Sequence, residues 1–264
     1  MTQSHPGTAL ITGASSGIGA IYAERLARRG HDLILVARNR GRLNALAQRL
    51  SDETGRSVEV VVADLADRAD LARVEELLRT DASISLLVNN AGVGATRPLL
   101  ESNVDKLEEL LTLNVNVLTR LTYAVVPGFV ARGGGTLINI ASIVAIAPEV
   151  LNGVYGGSKA FVLAFSQSLR HELADKNVRV QVVLPGATAT DFWGVAGTPL
   201  EYLPEAIVMK AEDMVDAALA GFDQGEFATI PALPEITDLN DYEAARQKLM
   251  PNLSLSTPAA RYRN

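Results

Sequence analysis

The sequence contains no cysteine. Disulfides, thiol nucleophiles and thiolate metal sites are therefore excluded together. Histidine is scarce too: His5, His31 and His171 lie scattered along 264 residues, which argues against a zinc cluster. None of them stands at a spacing that suggests an acyl-transfer triad with a serine, so a hydrolase of that type is poorly supported. No block of like charge exceeds a few residues and the net charge is -6, which argues against a nucleic-acid partner. No apolar run approaches the ~20 residues of a membrane helix. The N-terminus lacks a basic segment followed by an apolar core, so no secretory signal is expected. These absences predict a cytoplasmic chain with neither membrane nor metal partner. What is abundant is apolar surface: 48% of residues are hydrophobic, enough for a large core. The length suits a single α/β domain over residues 1–264.

Short apolar runs alternate with segments of helical period. Strands are expected at 8–11, 33–36, 58–62, 86–88, 136–140 and 178–184, with a short one near 227–230. Helices are expected after a glycine-rich turn at 12–19, around 43–50, beyond the capping Asp67, over 103–131 and 153–175, near 212–222, and in a patch at 240–249. Runs such as Leu33-Ile34-Leu35-Val36 and Val58–Val62 are apolar without alternation, which predicts strands covered on both sides. Such alternation of strands and helices predicts an α/β fold: a Rossmann-type doubly wound parallel sheet of about seven strands with helices on both faces. Residues 187–210 mix Gly, Pro and aromatics and suit a substrate lid. Residues 231–264, with four prolines, read as an irregular C-terminal extension.

Ligands of such sheets bind beyond the carboxyl ends of the strands. Gly13, Arg38, Asp64, Asn90, Ser142 and Pro185 all fall at such ends. The stretch Thr12-Gly13-Ala14-Ser15-Ser16-Gly17-Ile18-Gly19 follows a strand and opens a helix. Its glycines allow a sharp turn and close approach, and the helix start offers N–H groups to a phosphate. Tyr155-Gly156-Gly157-Ser158-Lys159 puts a tyrosine and a lysine on one helix face. An ammonium beside a phenol favours the phenolate, so the spacing predicts a Tyr155 pKa below the usual value of about 10. Such a group can exchange a proton with a carbonyl oxygen. Each glycine in that helix costs about 1 kcal/mol relative to alanine, which predicts close backbone approach there. Ser142, 13 residues before Tyr155, can hydrogen-bond the same oxygen. Taken singly, each piece has an ordinary reading: a tight turn, an exposed Tyr/Lys pair, a capping serine.

Taken in order, the pieces resemble the short-chain dehydrogenase/reductases, in their single-domain branch. The resemblance spans about residues 7–230 and rests on T-G-x-x-x-G-I-G at 12–19, N-N-A-G at 89–92, Asn114, Ser142, Y-x-x-x-K at 155–159, and Pro185-Gly186 followed by Thr190. It implies a nicotinamide cofactor across the strand ends. Tyr155 would exchange the hydroxyl proton, Ser142 would orient the oxygen, and Lys159 would lower the Tyr155 pKa and bond the nicotinamide ribose. Asn114 would hold a water linking Lys159 to solvent. Cofactor contacts are implied for Gly13, Ser15, Ser16, Gly17, Ile18 and Gly19 in the turn. Asp64 and Leu65 would meet the adenine, and Asn90, Ala91 and Gly92 the adenosine ribose region. Pro185, Gly186, Thr188 and Thr190 would meet the carboxamide and phosphates.

An acid about 20 residues past the glycines bonds the ribose 2′-hydroxyl of NAD. Here Ala37 and Arg38 stand 20 and 21 residues after Gly17. Arginine suits a 2′-phosphate, which predicts NADP(H), with Arg40 or Arg42 as weaker helpers. Val93, Val144, Leu151, Asn152, Phe192 and Trp193, with Ser142 and Tyr155, are expected to line an apolar pocket for a ketone or secondary alcohol of modest size. Helices 103–131 and 153–175 are apolar on more than one face, as in Phe161-Val162-Leu163-Ala164-Phe165, so they are expected to form a homodimer, or a tetramer by doubling. The expected activity is an NADP(H)-dependent carbonyl reductase or alcohol dehydrogenase. Two alternatives are a non-catalytic NADP(H)-binding regulatory protein, which would need none of the proton chemistry, and a lyase or epimerase, which usually carries a larger substrate domain.

Overall fold

A computed structural model describes residues 6–263. Seven strands form one parallel sheet: β1 (Thr8–Thr12), β2 (Asp32–Ala37), β3 (Val58–Val62), β4 (Ile84–Asn89), β5 (Gly135–Ile140), β6 (Val178–Val183) and the short β9 (Ala228–Thr229). Two further short strands, β7 (Thr188–Ala189) and β8 (Met209–Lys210), pair with each other inside the segment expected to be a lid. The helices are α1 (Gly17–Arg28), α2 (Arg40–Thr54), α3 (Arg68–Thr80), α4 (Val104–Leu111), α5 (Leu118–Ala131), α6 (Gly153–Glu172), α7 (Phe192–Ala196), α8 (Ala211–Asp223) and α9 (Ile236–Lys248). The first unit of the chain ends at Pro231. A second begins at Ala232 and contains α9; none of its described residues is buried.

Local chemistry explains the helix starts. The Asp67 carboxylate accepts from the N–H groups of Ala69 and Asp70 and caps α3, while Asn39 caps α2. The apolar stripes decide the faces. Tyr22 and Leu26 of α1, Leu43 and Leu50 of α2, and Met214 and Val215 of α8 cover one side of the sheet. Leu71, Val74 and Leu78 of α3, with Leu121, Val125 and Phe129 of α5, cover the other.

Strand order is β3-β2-β1-β4-β5-β6-β9. The order reverses between β1 and β4, which opens a crevice at their carboxyl ends. One sequence expectation is corrected here. Val58–Val62 is an edge strand and only half-buried, because no strand lies beyond it. The helical region expected over 103–131 is continuous from Val104 to Ala131, and Thr112–Val117 forms a π-turn between α4 and α5. Such a turn inserts a residue and shifts which side chains face the sheet.

Candidate active site

The crevice is knitted by one threonine. The Thr12 hydroxyl donates to the Val88 carbonyl at 3.3 Å and accepts from the N–H groups of Asn90 and Ala91, each at 3.0 Å. The Asn90 side-chain amide donates to the carbonyls of Thr12 at 2.9 Å and Gly13 at 3.3 Å. Nothing in the sequence pattern singled out Thr12 for this work; its role depends on β4 lying beside β1. Gly13 and Gly17 have φ values of +67° and +52°, a region that favours glycine. A Cβ on Gly19 would stand 2.4 Å from the Gly13 carbonyl oxygen. The helix they open has no acidic residue in its first turn, and its N-cap Ser16 makes no side-chain capping bond. Its first N–H groups are therefore available to an anion.

Four further residues converge across the crevice. Ser142 follows β5 at the edge of a tight turn, where its Oγ lies 3.4 Å from both the Pro185 carbonyl and the Val144 N–H. It also lies close enough to the Tyr155 hydroxyl to favour the phenolate. Lys159, one helical turn beyond Tyr155, donates from Nζ to the Ile140 carbonyl at 3.0 Å and lies 5.9 Å from the Tyr155 ring centroid. Asn114 sits in the π-turn. Its Oδ1 accepts from the Val93 N–H and its Nδ2 donates to the Val93 carbonyl, both at 2.9 Å, and to Ser158 Oγ at 3.2 Å. Gly92 is wedged between them: a Cβ there would lie 3.0 Å from Asn114 Oδ1 and 3.7 Å from Lys159 Nζ.

Electrostatics differ from the sequence expectation. Burial pushes the Tyr155 pKa up to about 12, against which the Ser142 hydroxyl acts. Burial likewise pushes Lys159 down to about 8. The expected lowering of Tyr155 by its lysine is overridden, because both groups are withdrawn from water and the charged form of each is disfavoured. The glycines between them also divide. Gly156 packs against Pro148, where a Cβ would stand 3.1 Å from that ring, but Gly157 is exposed and meets nothing.

Val144, Leu151 and Phe192 gather with Val93, Ala95, Ile143, Val154 and Leu110 around Tyr155. The Phe192 ring is tilted over the tyrosine, with centroids 5.9 Å apart. The tip of the ring rests on Gly94, a residue the sequence did not mark; a Cβ there would lie 2.2 Å from Phe192 Cζ. Two expected lining residues have other work. Trp193 is buried as the anchor of α7, donating from Nε1 to the Thr188 carbonyl at 2.9 Å. Asn152 caps α6 and ties it to a neighbouring loop.

The remaining candidates border the crevice. The Thr190 side chain packs on Gly17, where a Cβ would stand 3.1 Å from the threonine methyl. Thr188 donates to the Gly186 carbonyl at 3.2 Å. Asp64 makes its own turn, accepting from the Ala66 N–H at 3.0 Å, beside the buried Leu65. Ala91 is half-buried beside Asn90, whose amide nitrogen is already engaged by the turn. Arg38 directly follows β2 and is exposed, with no ion pair among the described residues. Arg42 pairs with Asp191 at 3.2 Å, at the start of the lid, and Arg40 is exposed.

A nucleotide-binding crevice and a Ser/Tyr/Lys/Asn cluster on one edge of a doubly wound sheet define a dinucleotide-dependent oxidoreductase architecture. The family profile described as short chain dehydrogenase matches residues 7–199, and the chain belongs to that family. A short-chain dehydrogenase from Sphingobium yanoikuyae, solved in complex with NADPH, is 51% identical, with a TM-score of 0.94 over 97% of this chain and 100% of that one. A bulky-bulky ketone specific alcohol dehydrogenase from Comamonas testosteroni is 46% identical, with a TM-score of 0.90 over 99% of this chain and 100% of that one. Human 17-beta-hydroxysteroid dehydrogenase type 3 is 34% identical over 78% of this chain, which spans 64% of that enzyme's length.

The residues present fit the family's nicotinamide cofactor. At Gly13, Gly17 and Gly19 of the turn a Cβ would crowd neighbouring protein atoms, and the helix the turn opens starts without a side-chain cap, leaving N–H groups for a phosphate. Arg38 lies exposed directly beyond the carboxyl end of β2.

Proposed function

We propose that this protein is an NADP(H)-dependent reductase of ketones, acting in reverse on secondary alcohols. The observation that carries the reading is the convergence of the buried Ser142 and Tyr155 with Lys159 one helical turn behind the tyrosine. The preference for NADP(H) is supported by the exposed Arg38 and by the NADPH complex of the Sphingobium relative. The Comamonas relative acts on bulky-bulky ketones, and the walls here are aliphatic. Together they support a ketone carrying an apolar group on each side, larger than the modest substrate the sequence suggests.

In this reading Ser142 and Tyr155 direct two hydroxyl groups at the substrate oxygen. The cofactor, when bound, supplies the hydride. Tyr155 then donates its proton to the developing alkoxide. A pKa near 12 keeps the phenol protonated at neutral pH, which suits the reducing direction. Lys159 stabilises the phenolate left behind, in a site where little water screens the charge. The Asn114 side chain is engaged by Val93 and Ser158, and in this reading Asn114 holds a water that links Lys159 to solvent for reprotonation.

The chain also forms a dimer in this reading. Tyr123 of α5 stacks on Phe165, and Phe165 on Phe161 of α6, yet Tyr123 is 68% exposed and Phe161 38%. Such a surface stack is expected to be covered by a second copy. Light scattering should give at least a dimer mass; a monomer at micromolar concentration refutes this.

NADPH oxidation with ketones of graded bulk, for the wild type and Tyr155→Phe, tests the catalytic reading. Turnover with bulky aryl or alkyl ketones is expected, falling at least about 1,000-fold in the variant, with NADPH binding unchanged. Substantial activity in the variant places the proton donor elsewhere. NADPH binding without turnover of any ketone favours the regulatory alternative.

A further inference from the structure

Asn152 lies three residues before Tyr155 and is 6% exposed. Its side-chain amide makes its full complement of hydrogen bonds. Oδ1 accepts from the Val154 N–H at 2.9 Å and the Tyr155 N–H at 3.4 Å, capping α6. Nδ2 donates to the Arg97 carbonyl at 2.7 Å and to Ser102 Oγ at 3.1 Å. Turning the amide over would set its NH2 against two N–H donors, so these partners decide its orientation. A cap alone is served as well by Ser, Thr or Asp. Only the amide both caps the helix and reaches across to the loop at 97–102.

That loop is also the lid's mooring. Both the N–H and the hydroxyl of Thr96 donate to the Ala196 carbonyl, at 3.1 and 3.0 Å. The hydroxyls of Thr96 and Thr198 are 2.9 Å apart. A continuous series of short contacts therefore runs from α7 through Thr96 and Arg97 to Asn152, and from Asn152 to the backbone N–H of Tyr155.

We propose that Asn152 is a positioning residue: through its donations to Arg97 and Ser102 it sets the proton-donating tyrosine against the lid-bearing wall of the substrate pocket. The proposal rests on the catalytic reading above. It makes the start of α6 and the loop at 97–102 a single body, so that lid position and the Tyr155 hydroxyl are coupled.

Asn152→Asp isolates the coupling from the cap. The carboxylate keeps the accepting role toward Val154 and Tyr155 but faces the Arg97 carbonyl with no proton to donate. With a bulky ketone at pH 8, kcat is expected to fall about tenfold, because the donation to Arg97 is lost while the Ser102 hydroxyl can turn and donate to the carboxylate, with the NADPH dissociation constant unchanged. Activity relative to wild type is expected to recover as pH falls through the new carboxyl's titration, because the protonated acid can donate to Arg97. A merely structural role would not produce that recovery. Ser102→Ala, which removes one acceptor and leaves the cap intact, is expected to lower kcat about threefold in the same assay. Hydrogen exchange read without substrate is expected to quicken at residues 96–102 and 153–156 in both variants.

Wild-type kcat and a flat activity ratio across pH in Asn152→Asp overturn the proposal, as does unchanged exchange in both variants. If Asn152→Asp does not fold, Ser102→Ala decides alone. Absence of ketone turnover in the wild type instead overturns the catalytic reading, while the exchange measurement still tests the coupling.

Discussion

Lys159→Met tests whether the site holds a charge at the expense of stability. Lys159 is 7% exposed, and burial lowers its pKa from 10.5 to about 8. At pH 7 the side chain is charged both folded and unfolded. The folded chain therefore carries a desolvation cost of about 3 kcal/mol. Methionine has a similar length and no charge, but it leaves the Ile140 carbonyl without its 3.0 Å donor, which costs about 1 kcal/mol. The net gain is about 2 kcal/mol, or a rise of about 6 °C in the melting midpoint of a domain of this size. The sign with pH follows from the direction of the shift. The folded form loses its proton first, so wild-type stability climbs between pH 8 and 10.5 while that of the variant does not. The gap should therefore close as pH rises. Circular-dichroism melts of the cofactor-free protein at pH 7, 8.5 and 10 measure it. A variant that melts lower at pH 7, or a gap that does not narrow, refutes the reasoning. Turnover should be lost throughout, a trade of stability for function.

Arg38→Asp should weaken NADPH at least about 100-fold, through lost phosphate pairing and new repulsion, while leaving NADH far less affected; fluorescence titration with both decides, and equal losses would remove Arg38 from the phosphate site. Gly94→Ala places a methyl 2.2 Å from Phe192 Cζ and should drive the ring from its seat, shifting relative kcat/KM across a ketone panel about tenfold; an unchanged profile means the ring does not shape the pocket. Burial raises the pKa of Glu75, but hydrogen bonds from Arg120 and Arg79 outweigh it and hold the carboxyl below 4.5. The carboxylate's stabilisation is thus present above the unfolded value and lost as pH falls through the folded one. Its arginine partners are about half exposed, so Glu75→Gln should cost about 2 kcal/mol at pH 7, with the deficit shrinking below pH 4 in urea melts.

Much of this protein is written locally. Uninterrupted apolar runs, Asp67 before a helical stripe and glycines between a strand and a helix act through nearest neighbours, so α3, β2 and the turn at 12–19 are legible from the chain alone. The ordered motifs at 12–19, 89–92, 142 and 155–159 carried the resemblance to the family; Gly13, Asn90 and Ser142 stand just beyond strands and Tyr155 on the helix after β5, in a sheet whose connections have one hand.

Tertiary structure decided what depends on which strands and helices are neighbours. Val58–Val62 is half-exposed because it is the sheet's edge, which no strand reveals about itself. Thr12 matters only because β4 lies beside β1, and Gly94 only because Phe192 folds back onto it. Asn152 reads as a pocket residue in the sequence, yet it is held by a loop 50 positions away. Lys159 stands four positions from Tyr155, which alone predicts a lowered tyrosine pKa. Enclosure by the surrounding residues raises it instead, because burial is a property of the whole packed body and removes the water that either charge would need.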